Sequence, residues 1–233
     1  MVGVAERIEW LRGQLPTAVR LVAVTKQVPV ERIREAYACG LRDFGESRIQ
    51  EVQQKIPQLT DLQGVSWHLI GSLQRNKARP ALEVFDWIHS VDSLPLAERL
   101  ASLMGSVGRR PRLLLQVKLA ADPTKSGWSQ VELEAALPRL AALPQLDIRG
   151  LTAIAPLGLG EQGNLTLFGR VAALARDLGR RAGEAEWQHI RMEELSMGMS
   201  GDYPQAIAAG ATMVRLGQVL FGSRLPLRRN GDE

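Results

Sequence analysis

The run Leu21-Val22-Ala23-Val24-Thr25-Lys26 is apolar on both faces until its last two residues. A strand with one face in water alternates, whereas one buried on both faces, as in a parallel sheet flanked by helices, does not. Lys26 stands where this strand runs out, just before Gln27-Val28-Pro29. An amine leaving an apolar collar is pushed toward its neutral form, because burial disfavours the ammonium, and a neutral amine attacks carbonyl carbon. A strand-end lysine that simply reaches solvent is the ordinary alternative. The stretch alone does not choose between them.

Outward from this strand the pattern alternates. An amphipathic N-terminal helix over 1–14 precedes it, and a helix from Val30 to Cys39 follows, with Pro29 at its start and Gly40 past its end. Further strands are expected at 41–46, 66–70, 87–91, 111–119, 148–155, 194–197 and 212–216. The helices between them are expected at 47–56, from 74 onward, and at 93–104, 129–143, 165–179 and 202–209, with Pro57 ending one and prolines bending or breaking the helix after 129. Eight β-then-α units without a break in composition indicate one (β/α)8 barrel over 1–233, carrying an extra N-terminal helix and a flexible tail at 225–233. An open doubly wound sheet is the alternative. No G-x-G-x-x-G marks the first βα turn, which argues against a dinucleotide.

Composition narrows the classes. A chain of 233 residues, 45% hydrophobic and 23% charged, can bury a full core without metals or disulfides. The net charge of +4 comes from scattered arginines with only short pairs, such as Arg109-Arg110 and Arg180-Arg181, so anionic small molecules fit better than nucleic acid. Cys39 is the single cysteine and reads as an inert thiol at a helix end. No apolar stretch approaches membrane length and the N-terminus lacks a signal-peptide core, so a cytoplasmic protein is expected. No metal is expected, because His68, His89 and His189 are far apart along the chain.

In a barrel the functional face lies at the C-terminal strand ends. Two ends carry anion-binding chemistry. Met197-Gly198-Met199-Ser200-Gly201-Asp202 is a glycine-punctuated turn opening a helix, where free N–H groups and the Ser200 hydroxyl converge. Leu216-Gly217-Gln218 is a second glycine turn, and loops after strands seven and eight commonly hold phosphate in barrels. Strand eight pairs with strand one in a closed barrel, so the phosphate cup and Lys26 are neighbours. A ligand with both an aldehyde and a phosphate satisfies both, and pyridoxal 5′-phosphate is such a ligand.

Five stretches resemble one family: Val24-Thr25-Lys26, Phe44-Gly45-Glu46-Ser47-Arg48-Ile49-Gln50-Glu51, Trp67-His68-Leu69-Ile70-Gly71-Ser72-Leu73-Gln74-Arg75-Asn76-Lys77, Leu195-Ser196-Met197-Gly198-Met199-Ser200-Gly201-Asp202 and Val214-Arg215-Leu216-Gly217-Gln218-Val219-Leu220-Phe221-Gly222. Together they are similar to the YggS/PROSC family of pyridoxal-phosphate-binding homeostasis proteins, over roughly residues 5–224. The resemblance implies a barrel of the alanine racemase N-terminal type, with the cofactor as a covalent aldimine on Lys26. It further implies that Ser200 and the backbone around Gly201, Gly217 and Gln218 hold the phosphate, that Met197 is among the cofactor-binding residues, and that Arg215 lies beside the pyridine nitrogen. Ser47 stands where the family usually has Asn, so a cofactor contact from that position is in question.

An arginine facing the ring nitrogen disfavours its protonation and makes the cofactor a poorer electron sink. Racemases of this type compensate with a tyrosine from another domain and a partner subunit. This chain ends nine residues after Arg224, so a single-domain monomer is expected, with Tyr37 and Tyr203 its only tyrosines. The resemblance therefore implies a protein that holds, buffers or delivers pyridoxal phosphate and influences amino- and keto-acid balance, with recipient enzymes as its partners. A racemase-like enzyme and a plain phosphate binder are the competing classes. His68, Gln74, Asn76 and Lys77 are read onto the same face, where they shape the mouth or dock a recipient enzyme, with a hydrogen-bonded core role the alternative for His68. Lys125 is read onto a long loop after strand five, as part of a lid or as a second, transient acceptor.

Overall fold

A computed structural model describes residues 3–222, so the tail expected at 225–233 lies outside the described residues. Helix α1 (Val4–Gln14) is followed by β1 (Arg20–Val24), α2 (Val30–Ala38), β2 (Asp43–Glu46), α3 (Ile49–Lys55), β3 (Ser66–Leu69), α4 (Ala78–Val84), β4 (Trp87–Val91) and α5 (Leu94–Val107). The second half holds β5 (Arg112–Val117), α6 (Gln130–Ala141), β6 (Asp147–Ala153), α7 (Gly160–Glu184), β7 (Ile190–Ser196), α8 (Tyr203–Ala208), β8 (Met213–Leu216) and α9 (Gln218–Phe221). The strands close in sequence order into a barrel, β8 pairing parallel with β1 through Arg20–Met213 and Ala23–Leu216. Closure decides against the open sheet and leaves no unpaired strand edge among the described residues.

Alternation along each strand sorts the side chains into two layers. Ala23, Phe44, Leu69, Ile88, Leu113, Leu115, Leu151, Val214 and Leu216 face outward and share one large core with the helices. Val22, Trp87, Leu114 and Met213, from four different strands, form a separate cluster inside the barrel. Helix α1 is fastened to the outside by buried Val4, Ile8 and Leu11. Gly150 marks where β6 and β7 crowd together: a Cβ there would lie 1.8 Å from the Glu194 carbonyl oxygen.

Helix α3 ends at Lys55, just before Pro57 as expected, and a separate 3-10 turn (Ile56–Gln58) follows it. Two further local features depart from expectation. Pro138 neither breaks nor ends α6, which runs on to Ala141; only the final turn lies beyond it. Gly217 opens a further short helix, α9, that the glycine turn alone did not announce.

Candidate functional site

Lys26 is half-buried and sits in a four-residue turn rather than on the strand itself. The turn is closed by the Val28 amide, which donates to the Thr25 carbonyl at 2.8 Å. Gln27 takes φ +60°, as the third residue of a type II turn requires; glycine usually supplies that conformation. Val24, two residues before Lys26, lies against the last strand's exit: a Cβ on Gly217 would stand 3.2 Å from the Val24 Cβ and 3.3 Å from its carbonyl oxygen. The first and last strands therefore end side by side on one rim.

The Met197–Asp202 turn stands on the same rim. The Arg215 amide donates to the Gly198 carbonyl at 3.0 Å, tying the turn to β8. Gly198 has φ +90°, and a Cβ there would lie 2.6 Å from the Ala206 Cβ and 2.9 Å from the Tyr203 Cα. Only glycine fits this turn. The Asp202 carboxylate accepts from the Met199 amide at 2.6 Å, and the Asp202 and Tyr203 amides both donate to the Met199 carbonyl. Among the described residues, the Ser200, Gly201 and Gly217 amides have no hydrogen-bond acceptor, and a Cβ on Gly201 would meet open space. Free donors around an open space are what an anion requires. Met197 contributes no side chain to this rim: it is fully buried in the outer core and its amide is bound to the Met213 carbonyl. Gln218 is exposed as the first residue of α9.

Beneath the rim a buried chain of polar groups crosses the barrel. Arg215, 5% exposed, donates through Nη1 to the Ser196 Oγ and carbonyl (both 2.6 Å) and the Thr152 hydroxyl (3.0 Å), and through Nη2 to the Ala153 carbonyl (2.9 Å). Burial lowers its pKa to about 10, against the opposing pull of Asp202, so it remains a cation at neutral pH. Ser196 Oγ meets His89 Nδ1, His89 Nε2 meets His68 Nδ1, and His68 Nε2 meets Asp43 Oδ1, each at 2.9 Å. Neutral imidazoles admit one consistent pattern from the carboxylate upward. His68 donates to Asp43 and accepts from His89, which accepts from Ser196, which accepts from Arg215.

His68 is thus an interior residue with no exposed surface: of its two expected roles the structure bears out the hydrogen-bonded core histidine and not the mouth, because residue 68 alternates inward between outward-facing Trp67 and Leu69. Folding also removes the stated ground for expecting no metal, since His68 and His89 touch. Among the described residues, no group of three or more His, Cys, Asp or Glu is placed to hold one.

Burial pushes both histidine pKa values below 6.5, and for His89 the neighbouring His68, Arg215 and Arg20 push in the same direction. A depressed folded value means that the unfolded chain binds protons the native state refuses. The contribution is complete above about pH 6.5 and is lost as pH falls from there through the folded values, by at most about 1.4 kcal/mol per pH unit per histidine. Glu46, whose pKa is raised by burial, has the opposite slope, so the contrast is between proteins. Denaturant unfolding at pH 7.5 and 5.5 should show a larger acid loss in the wild type than in His68→Gln/His89→Gln. Equal losses would refute it.

The remaining expected residues line the periphery. Ser47 is half-buried, and its carbonyl oxygen would be 2.2 Å from a Cβ on Gly71, so these two strand exits touch through backbone. Gln74, Asn76 and Lys77 are exposed on the short turn before α4. Lys125 is exposed on the loop after β5, which is held down by Gln116 Nε2 donating to the Ser126 carbonyl (2.8 Å) and by the Lys118 amide donating to the Trp128 carbonyl. Sequence reasoning missed Thr152 and the joining roles of Ser196 and His89. The available signal was a polar residue inside Trp87-Ile88-His89-Ser90-Val91, an otherwise apolar buried strand.

Residues 3–225 match the family model described as alanine racemase, N-terminal domain. A pyridoxal phosphate homeostasis protein of Synechocystis sp. is 49% identical over 211 residues, covering 91% of this chain and 94% of that one. The protein of that name from Escherichia coli strain K12 is 37% identical over 214 residues, covering 91% and 88%. PipY of Synechococcus elongatus, solved with PLP bound, superposes with a TM-score of 0.88 at 52% identity, covering 94% of this chain and all of that one. An alanine racemase of Clostridium difficile shares the fold at 15% identity and a TM-score of 0.72. With near-complete coverage and a closed barrel of the same type, this chain belongs to the alanine racemase N-terminal domain family, among its pyridoxal phosphate homeostasis proteins.

Proposed function

We propose that this chain binds pyridoxal 5′-phosphate at the rim shared by β1, β7 and β8, and holds or delivers it without turning over amino acids. The observation that carries the reading is the contact of the Val24 strand end with Gly217, which sets the Lys26 turn beside the free Ser200, Gly201 and Gly217 amides. Those residues fit the group: amide donors and a hydroxyl for the phosphate, a primary amine for the aldehyde. When bound, the cofactor supplies an aldehyde that condenses with a lysine amine and a ring that withdraws electrons. Lys26 is the proposed Schiff-base anchor. Ser200 and the Gly201, Gly217 and Gln218 backbone take the phosphate, and Ser47 borders the mouth.

Arg215 is proposed to face the ring nitrogen. Its cationic state at neutral pH works against protonation of that nitrogen, which limits carbanion chemistry. The tyrosines give little help: Tyr37 donates its hydroxyl to the Gln63 carbonyl at 2.9 Å, and Tyr203 packs at the start of α8 against the core. The likeness to PipY and to the homeostasis proteins supports the carrier reading.

The test is a visible spectrum of freshly purified protein, borohydride reduction and peptide mapping. The added mass is expected on the peptide containing Lys26, at one per chain, with no sustained racemisation or transamination of amino acids. An adduct on Lys118 or Lys125 would move the anchor, and steady turnover would overturn the carrier.

A further inference from the structure

On the outer side of the wall, opposite the interior chain, lies a second buried polar cluster. Lys55, the last residue of α3, is 8% exposed and uses its ammonium on three acceptors: the Thr25 carbonyl at 2.8 Å, Glu46 Oε1 at 2.7 Å and Glu51 Oε1 at 2.7 Å. Glu46 is fully buried at the end of β2; the Thr25 hydroxyl also donates to its Oε1 at 2.7 Å, and its Oε2 has no partner among the described residues. Glu51, one turn before Lys55, accepts from the Gln27 backbone amide. The two peptide groups bracketing Lys26, the Thr25 carbonyl and the Gln27 amide, are therefore both held from α3.

This arrangement is costly without a use. A buried lysine with two carboxylates loses solvation that packed apolar side chains would not lose. Gln27 occupies a left-handed conformation that a glycine would adopt with less strain. Both features meet at one place, the turn that carries Lys26. We propose that Lys55, with Glu46 and Glu51, is a positioning device for Lys26: an ion-pair cluster behind the barrel wall fixes the turn from which the amine reaches the mouth. This rests on the proposed function, since it concerns the same lysine. Lys55 acts through the backbone, and attachment of an aldehyde at Lys26 depends on it.

The experiment compares the wild type with Lys55→Met/Glu46→Gln, which removes the central charges together, and with Glu51→Ala, whose partly exposed site keeps the fold safe. Three quantities are read: amide hydrogen exchange at Gln27 and Val28 in ligand-free protein, the rate of covalent attachment of pyridoxal 5′-phosphate, and the affinity for pyridoxine 5′-phosphate. The last has an alcohol in place of the aldehyde and cannot react with the amine. Exchange at Gln27 is expected to accelerate at least about tenfold in both variants and attachment to slow by about tenfold, with pyridoxine 5′-phosphate affinity within about twofold of wild type. Unchanged exchange and attachment in Glu51→Ala, or a fall in pyridoxine 5′-phosphate affinity as large as the slowing of attachment, overturns the proposal. A wild type that forms no adduct on Lys26 sinks the function reading instead, and is told apart because the exchange contrast needs no ligand.

Discussion

Lys26→Ala protein will bind pyridoxal 5′-phosphate without the visible band and without an adduct that borohydride can fix. Its affinity should fall by on the order of 100-fold, the equivalent of about 2.7 kcal/mol. The loss is large because the proposed link has no substitute: Lys118 leaves the barrel on β5, across from β1, Lys125 is exposed on the loop beyond it, and Lys55, though bonded to the Thr25 carbonyl, is buried behind the wall against Glu46 and Glu51. The loss is also incomplete. The Gly198 turn and the free amides of Ser200, Gly201 and Gly217 are built from backbone that this substitution leaves alone. Pyridoxine 5′-phosphate, which uses only those donors and the ring contacts, should therefore bind the variant and the wild type alike. Lys125→Ala should keep the full visible band. Should Lys26→Ala stay yellow and reducible at unchanged stoichiometry, the anchor is elsewhere.

That contrast separates what could be read along the chain from what folding assembled. The apolar run before Lys26 and the glycines at 198, 201 and 217 are local signals, each carrying its own chemistry, and one topological step joins them. Strand eight beside strand one is that step, and the Ala23–Leu216 pairing realises it. The clamp behind Lys26 was not legible, because Lys55 reads as the charged end of an amphipathic helix; its acceptors come from positions 25, 46 and 51. His68 was left with two readings for a related reason. A histidine beside a strand end is ambiguous by one residue, and that residue decides whether it faces the helices or the barrel axis. The interior chain draws on β2, β3, β4, β7 and β8, so no single window of sequence contains it.

The second large effect is on stability rather than binding. Arg215→Met should lower the unfolding free energy by about 3 kcal/mol at pH 8, measured by denaturant titration of ligand-free protein. A well-packed apolar replacement of a buried charge can be neutral when its partners are replaced with it. Two of the partners here are the main-chain carbonyls of Ser196 and Ala153, which no side-chain substitution removes. Ser196 oxygen retains the Thr152 hydroxyl as a donor at 2.8 Å, which keeps the cost below the upper end for a broken buried network. Arg215→Lys preserves the charge but not the two-pronged reach across β6 and β7, and should recover about half of the loss. The pH dependence identifies the interior chain as the cause. Arg215 helps to depress the His89 pKa, so removing it lets the folded value rise toward the ordinary 6.5 and weakens the acid penalty. The gap between Arg215→Met and wild type should therefore narrow as pH falls from 8 to 5.5. A gap that stays constant across that range would show that Arg215 and the histidines beneath it do not sense one another.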